Sequence, residues 1–212
     1  WPKSISAWTG KNAKERVIDV TRLLGNALTI SMSVQSMSDT VLENINRDNI
    51  KLDHMRAIST ELHTQGRAQL SEVIMPLPGE TLASHIEGIN QLLDTNVSMV
   101  TSHTLQVLHG TPYKDSPEFR DRWGYVTRWR LVPLDFSRID GTHIFDVEEV
   151  AVASKDMSFE HYVEARKYLF ICDLCFNVDV FAPLKKFLTQ NSIPISSWVA
   201  SIFKNVHKAP NS

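Results

Sequence analysis

The 212-residue sequence predicts an α/β fold built from parallel βα units, followed from about residue 114 by a mostly helical extension. Two observations predict it. Short runs with strand-like alternation or strong β character recur near residues 27–36, 67–80 and 97–113, and stretches of helical periodicity separate them. Strands spaced by helices of roughly 10 to 15 residues indicate βαβ units and a parallel sheet.

Taken in order, NAKERVIDVTRLL at 12–24 places Val17, Val20 and Leu24 at helical spacing, with Gly25 where a helix stops. No strand is visible before it, and the chain opens WPKSISAW without a methionine, as expected of a piece of something longer. ALTISMSVQS then alternates strictly. Leu28, Ile30, Met32 and Val34 share one face; Thr29, Ser31, Ser33 and Gln35 share the other. Ser38 and Asp39 offer N-caps for a short helix to about Arg47, and a second helix is expected near 51–64 with Leu52, Met55 and Leu62 on one side. Residues 67–80 read as a strand ending in a Pro-Gly turn. The next helix aligns Leu82, Ile86, Ile89 and Leu93, and 97–113 reads as the third strand. Beyond Tyr113 come a polar connection, one or two short strands near 125–133 and 142–153, and helices over about 158–176, 180–190 and 194–206. The boundary is therefore placed between residues 1–113 and 114–212.

Composition excludes several classes. The chain is 42% hydrophobic with a formal net charge of -2, which gives no broad basic field for nucleic acid. No apolar run approaches the roughly 18 to 20 residues of a membrane span, and no signal peptide is visible, so a cytoplasmic location is expected. The two cysteines, Cys172 and Cys175, stand in the apolar run YLFICDLCFN. A closed zinc site needs two further ligands that no second pair supplies, and the pair reads as structural.

The first strand raises the question of chemistry. Most parallel sheets are apolar on both faces, yet this strand has a polar face. Either it lines a barrel interior toward a ligand or it is an edge strand with a solvated face. The second strand favours a ligand, because Glu72 lies between Leu70 and Ile74 on one face, where a carboxylate is costly unless paired or bound. Such a carboxylate can accept hydrogen bonds from two ribose hydroxyls. Ligands of parallel βα folds sit at the C-terminal ends of strands, where Gln35, Glu72 and the HGTPY turn converge, and Arg47 could turn back as a carboxylate clamp.

VQSMSDTVLENINRDNI, EVIMPLPGET and TLQVLHGTPY, in that order, resemble the second half of the radical S-adenosylmethionine (SAM) enzyme barrel, most of all its cobalamin-dependent branch. The segment GTHIFDVEEVAVASKDMSFEHYVEARKYL resembles the tail that follows there. The resemblance implies strands 4 to 6 of a partial TIM-like (βα)6 barrel. From oxygen-independent coproporphyrinogen oxidases it implies that Gln35 and Glu72 bind the ribose of SAM, that Arg47 takes its carboxylate, and that Ile74 and Leu105 lie against adenine. It also implies, in a parent protein, a 4Fe–4S cluster, a cobalamin and hydrogen abstraction by a 5′-deoxyadenosyl radical.

One departure is large. The family's C-x3-C-x2-C cluster loop is absent from the sequence, so no metal ligand and no catalytic residue is assigned, and this chain by itself is expected to be inactive. Its expected partners are the missing N-terminal barrel half and a substrate of unassigned class. Two other readings stay open: a barrel half kept as a binding or assembly module without a cluster, and an unrelated βα enzyme using Glu72, His103 and His109 as acid–base groups.

Overall fold

The structure is a computed structural model that describes residues 3, 5–8, 19–20, 23–49, 52–64, 66 and 68–208. Its centre is a four-stranded parallel sheet in the order β1 (Ile5–Trp8), β2 (Leu28–Gln35), β3 (Gln69–Met75), β4 (Met99–Thr104). The strands therefore follow chain order, as successive βα units lay them down. The helix expected over 12–24 falls mostly outside the described residues.

Three further elements of this half match the sequence pattern: α1 (Asp39–Asn44), α2 (Leu52–Thr64) and α3 (Leu82–Leu93). Thr81 and Ser84 form a reciprocal capping box at the start of α3, which satisfies donors the first turn would leave unpaired. Alternation decides which face of each strand is covered. Leu28, Met32 and Val34 of β2 and Val73 and Met75 of β3 are buried against Met55, Ile58 and Leu62 of α2 and Ile89, Leu92 and Leu93 of α3. The other face of β3, carrying Leu70, Glu72 and Ile74, is only half-buried.

Two expectations need correction. A strand does precede the first predicted helix: β1 pairs with β2 from Ile5 opposite Leu28. Four residues, ISAW, are too few to display a period of two, which is why the pattern did not reveal it. The extension also carries more than short strands. After α4 (Pro112–Asp115) and α5 (Pro117–Trp123), β5 (Val126–Ile139) and β6 (Thr142–Ala153) form one long antiparallel hairpin, separate from the parallel sheet. Its turn, Asp140-Gly141, places both residues at positive φ, as short hairpin turns require. Trp129, Leu131, Phe136, Phe145 and Val147 are more than half exposed along it.

Helices close the chain: α6 (Phe159–Cys172), running on into a π-helical turn (Asp173–Asn177), then α7 (Ala182–Gln190) and α8 (Ile195–Asn205). They share the main core, with Ala165, Tyr168, Leu169 and Val199 packed in the same cluster as the sheet and α3. Asn177 caps the edge of β4 as a strand would: its amide accepts from Val100 N–H at 2.9 Å and donates to Val100 C=O at 2.8 Å. Cys172 and Cys175 are free and buried in this core, as read from the sequence. Burial pushes the Cys172 thiol up to about 12 and raises that of Cys175. No helix among the described residues is long and apolar enough to cross a membrane.

The Pro-Leu-Pro-Gly-Glu turn after β3 is held from below. Glu80, 1% exposed, accepts from Leu77 N–H at 3.1 Å through Oε2, and its Oε1 lies 3.0 Å from His85 Nδ1 on α3. His85 Nε2 in turn lies 3.1 Å from Ser102 Oγ on β4, and Ser36 Oγ reaches Glu80 Oε1 at 3.5 Å. Gly79 stands at φ +81, and a Cβ there would come 2.5 Å from Asn44 Nδ2, which donates to Pro78 C=O. Glu149 of β6 ties the hairpin base to the same end through Lys114 at 2.5 Å, Thr127 at 2.6 Å and Arg120 at 3.5 Å.

Removing Glu80 strands the His85 ring and the Leu77 amide in the interior. Glu80→Ala is expected to lower stability by about 2 to 3 kcal/mol, read as a lower midpoint of urea denaturation; an unchanged midpoint would refute that role. For Glu149, its hydrogen bonds from Lys114 and Thr127 hold the carboxyl below the usual carboxylate range. A depressed carboxylate stabilises fully above its unfolded pKa and loses that contribution as pH falls through the lowered value. The gap in melting temperature between the unaltered chain and Glu149→Gln is therefore expected to be present at neutral pH and to close on acidification below about pH 4.

Candidate functional site

The half-buried face of the parallel sheet carries polar side chains in a row. From β2, Ser31 Oγ donates to Glu72 Oε2 at 3.0 Å; from β4, His103 Nε2 lies 3.3 Å from Glu72 Oε1. Glu72 thus sits between hydrogen-bonding groups from both neighbouring strands, which answers the cost of a carboxylate in mid-strand. Its side chain is 14% exposed, that of His103 56%. Ile74 stands opposite His103 in the parallel register, one step along the same face.

At the end of β2 the backbone departs from the ladder. The register shifts between Ser33 and Gln35, and Gln35 adopts φ +62. A non-glycine residue in the left-handed region at a bulge re-aims its side chain and ends the pairing. Gln35 is paired with Val73 there and is half-buried.

Arg47 follows α1 in a turn fixed by its own N–H to Leu42 C=O at 2.9 Å. Its guanidinium reaches back as the sequence suggested: Nη2 donates to Ser33 C=O at 2.6 Å. Ser33 is the register partner of Glu72, so Arg47 and Gln35 meet the C-terminal end of β2, whereas Glu72, expected at a strand end, lies in the middle of β3 opposite Ser33. Arg47 Nε is buried without a hydrogen-bond partner, and the side chain forms no ion pair among the described residues. Burial lowers the pKa of this guanidinium, the mark of a cation short of solvation.

Ile74 and Leu105 do come together, in a second apolar cluster with Val41, Leu77, Val107 and Ala151. Leu105 is held there by its N–H to Met75 C=O at 2.7 Å and by Ala151 N–H to its own C=O at 2.9 Å. At 6% exposure it offers little surface to a ligand, whereas Ile74 remains partly open. His109 is not part of the site: it is exposed and 3.8 Å from Asp115.

The donor sets decide what these residues could hold. A buried guanidinium nitrogen without a partner beside a carbonyl already bound by its neighbour suits a carboxylate ligand, and the Glu72 carboxylate suits hydroxyl donors. An iron–sulfur cluster does not fit: the chain has two cysteines, both buried in the core as protonated thiols. Among the described residues, no three His, Cys, Asp or Glu side chains are grouped to hold a metal. A groove of about 970 Å³ is bounded by α1, the loop after it and Gln91, and Arg47 is among its lining residues. Asp39, Glu43 and Asp48 line it beside Arg47, so an anion brought to that guanidinium would also meet three carboxylates.

Sequence reasoning had not identified Ser31 as a partner of Glu72 or seen the buried Glu80–His85–Ser102 chain. Ser31 was legible as an inward position; Glu80 was one residue past the noticed Pro-Gly.

No protein-family model matches the chain. It is 30% identical over 130 residues to the cobalamin-dependent radical SAM methyltransferase TokK of Streptomyces tokunonensis, a match covering 59% of this chain and 19% of that protein. It is 32% identical over 96 residues to the 2-(S-pantetheinyl)-carbapenam-3-carboxylate methyltransferase of Streptantibioticus cattleyicolor, covering 44% of this chain and 14% of the relative. The chain thus spans less than a fifth of the length of either. Among solved structures, the coproporphyrinogen III oxidase HemN of Escherichia coli, a radical SAM enzyme, superposes with a TM-score of 0.40 at 21% identity, over 47% of this chain and 23% of that one. The radical SAM methyltransferase TsrM of Kitasatospora setae does so at 0.41 and 14% identity, over 62% and 25%. Superpositions at this level carry no functional argument. The sequence matches show similarity to a radical SAM methyltransferase across 59% of the chain.

Proposed function

We propose that residues 1–113 are the C-terminal half of a radical SAM barrel, with β1–β4 as the third to sixth of its six strands and 114–212 as an appended segment. In this reading the chain supplies the walls of a SAM site: Arg47 takes the carboxylate, Gln35 and Glu72 the ribose hydroxyls, and Ile74 one side of adenine, with Leu105 behind it. The observation that carries the reading is the hydrogen bond from Arg47 to the carbonyl of Ser33, the residue opposite Glu72 in the strand register, with Arg47 Nε left buried and unpartnered.

When bound, SAM supplies a methionine sulfonium, the starting point of the chemistry named for TokK. The residues of this chain bind and orient it. Cluster ligands are not among them, so the reductant of that chemistry belongs to the remainder of a longer parent protein. That parent is read as a methyltransferase on the name of TokK, which also favours a cobalamin in it.

The test is calorimetric titration of the chain with S-adenosylhomocysteine, which keeps the carboxylate and ribose and needs no cluster. Saturable binding is expected. Arg47→Ala and Glu72→Gln are each expected to weaken it about 10- to 100-fold, the value of a hydrogen bond to a charged group, and Gln35→Ala several-fold less. Equal affinity in all four proteins would sink the assignment.

A further inference from the structure

We propose that His103 is a positioning residue: with Ser31 it fixes the orientation of the Glu72 carboxylate on the open face of the sheet. The proposal rests on the reading that Glu72 takes the ribose, and adds to it the residues that set how the carboxylate is presented.

The reason lies in the torsion that turns a carboxylate about its last bond. That torsion is broad and nearly two-fold, so an unrestrained glutamate has no preferred plane. Glu72 is restrained on both oxygens, Oε2 by Ser31 Oγ at 3.0 Å and Oε1 by His103 Nε2 at 3.3 Å. A carboxylate offers only acceptors, so the imidazole donates from Nε2. The two donors come from the strands on either side, β2 and β4, and stretch the carboxylate across the sheet. Recognition of two vicinal hydroxyls is sensitive to that plane, since both oxygens must face the diol at once.

A structural role is the competing explanation, and the burial pattern speaks against it. His85, 2% exposed and bridging Glu80 to Ser102, is the histidine that holds the fold. The His103 side chain is 56% exposed, and a pair that open to water adds little to stability. Its position is nevertheless specific: it stands opposite Ile74, beside the surface assigned to adenine.

The experiment is S-adenosylhomocysteine titration of the full chain and of His103→Ala, His103→Gln, Glu72→Gln and the His103→Ala/Glu72→Gln pair. His103→Ala is expected to weaken binding about tenfold with the melting temperature nearly unchanged, and His103→Gln, which keeps an N–H donor, to recover most of the loss. In the Glu72→Gln background His103→Ala is expected to have little further effect, because its role runs through Glu72. An equal loss in both backgrounds, or no rescue by glutamine, overturns the proposal. Unchanged affinity in His103→Ala while Glu72→Gln loses binding overturns it alone and leaves the ribose reading standing. No saturable binding by the unaltered chain overturns both.

Discussion

The rest of this structure depends on the one-sided burial of a parallel sheet. β2 and β3 turn Met32, Val34, Val73 and Met75 toward α2 and α3, and this apolar face is what holds the strands in register. A strand's period of two then leaves Ser31, Leu70, Glu72 and Ile74 no choice but the other side. A slip of one residue would carry Glu72 into the helical core and expose Val73 and Met75. The position of the polar face is thus enforced by the core behind it.

The turn at the C-terminal end of β3 shows how that enforcement is carried to the site. A buried glutamate joins the backbone of Leu77 to α3 and, through His85, to β4. Asn44 and Gly79 tie the same turn to α1, the helix that precedes Arg47. Each link is between buried or half-buried groups, where an unpaired partner is expensive, so the turn, the helix and the strand ends are fixed relative to one another. Arg47 inherits its aim from this frame: its backbone closes on Leu42 and its side chain on Ser33.

What the sequence disclosed follows the same division. Alternation in LTISMSVQ and QLSEVIM reveals both the strands and the side each residue takes, because burial acts on every second position. Glu72 stood out because a charge interrupts an apolar face. β1 was hidden because four residues carry no period, and the hairpin's length was hidden because its apolar residues are largely exposed and obey no burial pattern. The Glu80–His85–Ser102 chain was hidden for another reason: its members meet only in space, across a turn, a helix and a strand. The pairing of Glu72 with His103 is of the same kind, 31 residues apart in sequence and adjacent through the register of β3 with β4.

Arg47 and Glu72 differ in how their charges are met within the protein. Partial burial of the Arg47 guanidinium lowers its pKa, and one backbone carbonyl accepts from its Nη2. Glu72, by contrast, has its charge answered within the protein by Ser31 and His103. The two charged groups therefore differ in what they ask of a ligand. On the proposed reading Glu72 accepts the hydroxyls of a ligand, and Arg47, whose buried Nε has no hydrogen-bond partner, takes its negative group. On that proposed reading a molecule carrying a diol at one end and a carboxylate at the other engages both groups, and a nucleoside lacking the carboxylate engages Glu72 alone.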